Sequence, residues 1–186
     1  MATKIYIDQG HNPVNPNAGA EGFGYREQDL VYRIGVILSD ILQRRGYETR
    51  LSRPTSETLL GTSNLTSLQA RVNDANAWGA DYFISIHTNA SSIPSATGVE
   101  AFAFSRSSPA FALGEDILAA LSASTGLRNR GMQVRSGLYV VRKTAMPSIL
   151  IELGFISNPN DARLMSQQPE LFARGIYNGI LDYRWK

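Results

Sequence analysis

The sequence predicts an α/β fold, a sandwich built on a mostly parallel sheet. Two observations carry this. Short runs rich in β-branched and aromatic residues alternate along the whole chain with segments whose apolar residues recur at helical spacing. The length of 186 residues, with 43% apolar and 18% charged residues, suits one domain with a sizeable core, here taken as 1–186.

The elements follow in order. "KIYID" (4–8) reads as a strand. Leu30, Val31, Ile34, Ile37, Leu38, Ile41 and Leu42 mark a helix that Glu27 opens and Gly46 ends. "YETRLS" (47–52) alternates as a strand, and a second helix runs from an N-cap at Ser63 to Gly79. "DYFISI" (81–86) and "GVEAFAF" (98–104) are strands. A third helix starts near Ser107 or Ser108, with Pro109 in its first turn. "LYVVRK" (138–143) and "SILIEL" (148–153) read as the last strands, giving six. A short helix from about Asn160 and a longer one, "PELFARGIYNGILDYRW", close the chain.

Composition narrows the chemistry. There is no cysteine, so disulfides, thiolate metal sites and thiol nucleophiles are excluded. The formal charge of +2 comes without a basic cluster interleaved with aromatics, which argues against nucleic acid as a partner. No apolar run approaches the roughly 18 residues of a membrane span. The N-terminus enters a strand pattern directly, with no charged-then-apolar signal segment. The expectation is either a domain of a longer exported chain or a protein released by cell lysis. A monomer is the favoured state.

Function gathers at strand ends, as it does in open α/β sheets. The two histidines of the chain, His11 in "YIDQGHNP" and His87 in "FISIHTNA", both follow apolar strand runs. Without cysteine they are the imidazoles available to a hydrolytic metal site, which needs three N or O ligands and one open position. A carboxylate would complete the set. Glu21 and Glu27 are both candidates, and Glu27 is preferred because it opens an amphipathic helix and so has a fixed direction. The plainer reading makes each histidine a capping or core residue.

Glu152, in "SILIELGFISN", places a carboxylate at the end of a buried-looking strand. Burial without a partner is costly and raises a carboxyl pKa, so this residue needs a cation, a metal or a proton-transfer task. The competing reading pairs it with Arg142 or Lys143 from the neighbouring strand. Glu100 and Asn89 are placed as supporting or substrate-orienting residues. Arg71, on an otherwise apolar helix face, could reach a polar network, although a solvated or snorkelling arginine is the default. Arg53 stands in the long loop before that helix.

"IDQGH", "GAEGFGYRE", "LQARVNDAN", "DYFISIHTNA", "GVEAF" and "MPSILIELGFISNPND" occur in the order found in zinc-dependent N-acetylmuramoyl-L-alanine amidases of the amidase type 3 family, cell-wall hydrolases of bacteria and phages. The resemblance runs from about residue 4 to 182. It implies a twisted, mostly parallel six-stranded sheet with helices on both faces. It also implies one Zn2+ held by His11, Glu27 and His87, with Glu152 as catalytic general base and acid. The implied substrate is peptidoglycan, cut between the lactyl group of N-acetylmuramic acid and the L-alanine of the stem peptide, outside the cell or in the periplasm.

Two departures from the family pattern stand out. Asn12 and Pro13 occupy places where a second glycine is common after the first histidine, which changes a loop and not a ligand. Some relatives insert a blocking helix after the second histidine. Here about ten residues separate His87 from Gly98, too few for one, so an open cleft is expected. A peptidase cutting within the stem peptide and a wall-binding module without turnover are the competing functions.

Overall fold

The computed structural model describes residues 2–184. Its six-stranded sheet comprises β1 (Lys4–Gln9), β4 (Glu48–Leu51), β5 (Tyr82–Asn89), β6 (Val99–Ala103), β7 (Asn129–Val134) and β8 (Ser148–Phe155). A separate hairpin pairs β2 (Glu21–Gly22) with β3 (Tyr25–Arg26). The helices are α1 (Glu27–Gln43), α2 (Asn64–Trp78), α3 (Pro109–Thr125), α4 (Tyr139–Lys143), α5 (Pro159–Gln167) and α6 (Pro169–Arg184).

Strand order is β4-β1-β5-β8-β6-β7, parallel throughout except where β6 meets β8. The sheet is thus mostly parallel, with β6 and β7 together reversed. That reversal brings the first residues of β6 level with the last of β5 and β8. The site lies at this end.

Local chemistry sets the element ends. Ser63 caps α2 reciprocally with Thr66, and Gly79 closes it in the left-handed region that glycine adopts without strain. Ser108 caps α3 ahead of Pro109, and Asn158 caps α5 ahead of Pro159.

Alternation along the central strands divides the core. Ile84, Ile86, Ile149, Ile151 and Leu153 face a large apolar cluster shared with α1, α3, α5 and α6. Tyr6, Phe83, Phe102 and Leu150 face a smaller one shared with α2 and α4. Burying each such aliphatic side chain contributes about 1.5–3 kcal/mol.

One expected strand is corrected. Residues 138–143 form no strand, because Tyr139–Lys143 is helix α4. Its adjacent Val140 and Val141 are both buried, which a strand facing a single core would not achieve. The sixth strand is instead β7, whose sequence NRGMQV is mainly exposed at the sheet edge.

Candidate metal centre

The site is built on a polar row across the sheet. His87 on β5 lies in register with Glu152 on β8, and Glu152 with Glu100 on β6. All three alternate away from the large cluster, onto the face of Phe83, Leu150 and Phe102. One strand step separates this row from the apolar patch.

Glu27 reaches the row from the start of α1. Its Oε2 lies 3.2 Å from His11 Nε2, and its Oε1 lies 3.2 Å from His87 Nδ1. Backbone amides fix the same carboxylate: Ala20 N–H donates to Oε2 at 3.0 Å and Thr88 N–H to Oε1 at 2.8 Å. Burial pushes the Glu27 carboxyl up, but hydrogen bonds from His11 and His87, with their charges, outweigh it and hold the pKa well below the ordinary range.

His11, Glu27 and His87 each offer a ligand atom within 4.8 Å of the others, a possible metal-binding group. The donor set of two imidazoles and one carboxylate suits zinc, whose bonds of about 2.0–2.2 Å in a tetrahedron place ligand atoms roughly 3.3 Å apart. The His11 and His87 nitrogens each lie 3.2 Å from a separate oxygen of the Glu27 carboxylate. Glu21, the other carboxylate considered, sits on the hairpin, is mostly exposed, and lies 3.7 Å from Arg26.

Two glycines leave room for this cluster. A Cβ at Gly10 would stand 2.5 Å from the His87 ring, and one at Gly19 would stand 2.8 Å from Glu27 Cβ. Neither glycine stood out in the sequence, although each lies within two or three residues of a histidine or a candidate glutamate.

His11 itself has φ of 65°, unusual for a non-glycine residue. Two buried arginines hold it there. Arg71 donates to the carbonyls of Gln9 at 2.6 Å and His11 at 2.5 Å, and to Asp8 Oδ1 at 2.6 Å. Arg53 donates to the His11 carbonyl at 3.3 Å and to that of Gln28 at 3.1 Å. Arg71 thus reaches a polar network rather than being a solvated arginine, and Arg53 joins it, the two being 1% and 0% exposed respectively.

Asp8 completes this layer by accepting from Ser85 at 2.7 Å. Burial raises its pKa, but Arg71's charge and hydrogen bond, with that of Ser85, prevail and lower it. Asn12, which stands where a glycine was noted as common, is also buried. It donates to the Pro16 and Leu60 carbonyls at 2.7 and 2.9 Å and accepts from Leu60 N–H at 3.1 Å.

Glu152 differs sharply from Glu27. Its Oε2 is buried without a hydrogen-bond partner, and neither Arg142 nor Lys143 pairs with it among the described residues. Both cations lie on α4 rather than on a neighbouring strand. Burial, followed by the charges of Glu27 and Glu100, pushes its pKa up to about 8, with Arg135 partly offsetting them. Such a carboxyl can take and release a proton near neutrality.

Glu100, by contrast, is fully engaged. Asn89 donates to Oε1, Gln133 donates to Oε2 at 2.9 Å, and Arg130 lies 3.6 Å from Oε2. Asn89 therefore spends its side-chain amide on Glu100. Asp8, Gly10, His11, Arg71 and His87 also line a pocket of about 160 Å³ that Leu138, Tyr139 and Leu150 close on its apolar side. The link between β5 and β6 carries no helix, and both histidine side chains remain about one-fifth exposed.

Comparison with known proteins places the chain in a family. The family profile described as N-acetylmuramoyl-L-alanine amidase matches residues 5–182. The chain is 34% identical to the N-acetylmuramoyl-L-alanine amidase CwlM of Bacillus licheniformis, covering 95% of this chain and 67% of that protein. It is 35% identical to the amidase LytC of Bacillus subtilis over 96% of this chain, but spans only 35% of LytC. It spans 66% of the sporulation-specific N-acetylmuramoyl-L-alanine amidase of the same organism, at 33% identity.

Among solved structures, the CwlD amidase of Clostridioides difficile, determined with the GerS lipoprotein, superposes with a TM-score of 0.90 at 26% identity, covering 98% of both chains. The catalytic domain of the amidase CwlV from Bacillus (Paenibacillus) polymyxa gives 0.85 at 27% identity, again covering 98% of both. The chain belongs to the N-acetylmuramoyl-L-alanine amidase family and shares its fold and enzyme class.

Proposed function

We propose that this chain hydrolyses the amide joining the lactyl group of N-acetylmuramic acid to L-alanine of the peptidoglycan stem, acting at the cell wall. His11, Glu27 and His87 would hold one zinc ion. When bound there, zinc supplies Lewis acidity and lowers the pKa of a ligated water toward about 7.

The residues of the chain do the rest. Arg71 and Arg53 keep His11 turned toward Glu27, and the amides of Ala20 and Thr88 keep the Glu27 carboxylate fixed. Glu152 takes a proton from the attacking water and passes it to the alanine nitrogen as the C–N bond breaks, leaving a lactyl carboxylate and a free amino terminus. Glu100, tied to Asn89, Gln133 and Arg130, adds negative charge beside Glu152 and so makes it a stronger base.

The observation that carries this reading is the register of His87 and Glu152 on adjacent strands, with an unpartnered carboxylate oxygen beside the candidate ligands. Zinc content, measured beside mass spectrometry of digested peptidoglycan, tests it. One ion per chain and new N-terminal alanine are expected. Free termini elsewhere in the stem would mean a peptidase, and wall binding without any cleavage would mean a binding module. His11→Ala should empty the metal site, and retained stoichiometric zinc would overturn that ligand assignment.

A further inference from the structure

Resting on that reading, we infer that Arg135 recognises the free carboxylate of the second stem-peptide residue and makes the enzyme selective for stems in which that group is not amidated.

The argument begins with direction. Glu152 serves the leaving alanine nitrogen, so the peptide continues from the Glu152 side of the histidine cluster. From β5 through β8, the sheet order leads next to β6 and then to β7. A peptide leaving this way crosses the face that carries Glu152, Glu100 and Phe102.

Arg135, immediately after β7, closes this path. Its backbone N–H donates to the Ala103 carbonyl at 3.0 Å, which extends the β6–β7 pairing by one position. Its guanidinium lies 4.2 Å above the Phe102 ring. Phe102 is paired with Leu150, two residues before Glu152, so the guanidinium sits on the site's own face of the sheet.

The charge of Arg135 acts on Glu152, while its N–H groups are uncommitted. Among the described residues, the side chain of Arg135 makes no hydrogen bond and no ion pair, and the residue is exposed. Its neighbour Arg130 differs, being spent on Glu100 and on the Thr97 carbonyl. An arginine anchored 4.2 Å from a ring centroid, with its N–H groups unpaired, can grip a carboxylate with two bonds.

Reach is consistent with this role. Two strand spacings from β8 to β7 amount to about 10 Å. Extended chain covers roughly 3.5 Å per residue, so the second residue lies about 7 Å from the scissile bond, and the arginine side chain spans the remainder. Stem peptides joined through the side-chain carboxyl of their second residue, a glutamate, present its α-carboxyl there either free or amidated.

The test uses two synthetic muramyl tripeptides that differ only in this group, free carboxylate against amide, with zinc-loaded enzyme and its Arg135→Gln variant. Arg135 is exposed and outside both apolar clusters, so the variant is expected to fold. Wild type should prefer the carboxylate form. Arg135→Gln should raise KM for that form about ten- to a hundredfold, leave KM for the amide form within about twofold, and change kcat by the same factor for both forms, because the lost charge acts on Glu152 whichever substrate is bound. Arg135→Lys should recover part of the preference.

An equal rise of KM on both substrates, or no rise on either, overturns the proposal. Calorimetry of both tripeptides with Glu152→Gln protein, with and without the Arg135 change, reads the same discrimination as Kd. If wild type cleaves neither tripeptide, the proposed reaction is wrong, while the two Kd values still decide whether Arg135 reads a carboxylate.

Discussion

On one face of the sheet, α1, α3, α5 and α6 lie over Ile84, Ile86, Ile149, Ile151 and Leu153. On the other, α2 and α4 lie over Tyr6, Phe83, Phe102 and Leu150, and the apolar patch gives way one strand step later to His87, Glu152 and Glu100. The same two strands, β5 and β8, thus supply both a sealed surface and one that carries a polar row. Alternation separates them: each polar residue of the row is flanked along its strand by residues turned to the sealed side. The sealed face gives stability, and the other holds groups whose burial costs stability.

Substitutions can sharpen or break this contrast. The largest effect is expected from Glu152→Gln, which should lower kcat about 10²–10⁴-fold while zinc content stays at one ion and Tm is not lowered. Loss of zinc together with activity would make Glu152 a ligand. A lowered Tm would place it among the stabilising groups and erase the contrast between the faces.

Arg71→Met tests the layer beneath the row. Removing one partner of a buried ion pair costs about 3–5 kcal/mol, so denaturant unfolding should show a loss of that order, and zinc should bind more weakly because His11 loses a donor to its carbonyl. The pair also predicts acid sensitivity. The Asp8 pKa is lower folded than its ordinary 3.8, so its contribution is present above that value and is lost as pH falls through the folded pKa. In Arg71→Met this acid-dependent part should disappear. Unchanged stability in the variant would mean that Arg53 and Asn12 hold the loop unaided.

The smallest effect belongs to the sealed face. Ile176→Val on α6, fully buried in the large cluster, should cost about 1 kcal/mol of stability and leave zinc affinity and kcat unchanged. A change in zinc affinity there would show that the two faces are coupled through the sheet.

Much of this was legible in the sequence, for identifiable reasons. Strong periodicity marks α1, and Ser63, Ser108 and Gly79 mark helix ends by local chemistry that needs no tertiary partner. His11, Glu27 and His87 meet as expected because each sits at the end of a well-marked element. β7 was missed because an edge strand exposed on most of its length carries no apolar alternation. Residues 138–143 misled because a short β-branched run does not distinguish a strand from one buried helical turn.

Arg71 and Arg53 were legible only in part: the helix position of Arg71 allowed a polar network, and nothing marked Arg53. Charge alone says surface, and only the folded loop reveals the carbonyls of Gln9, His11 and Gln28 gathered around them. Gly10 and Gly19 were silent for the same reason, since what they make room for comes from distant parts of the chain.

The reversed direction of β6 has one more consequence. Because β5 ends and β6 begins at the same rim, both stems of the segment 90–98 stand at the mouth of the site. Extra chain spliced between them would roof the candidate site without disturbing a single strand pairing. This makes the segment a natural graft point for a removable cover, through which a site with no helix over it could be converted into one that waits for a trigger.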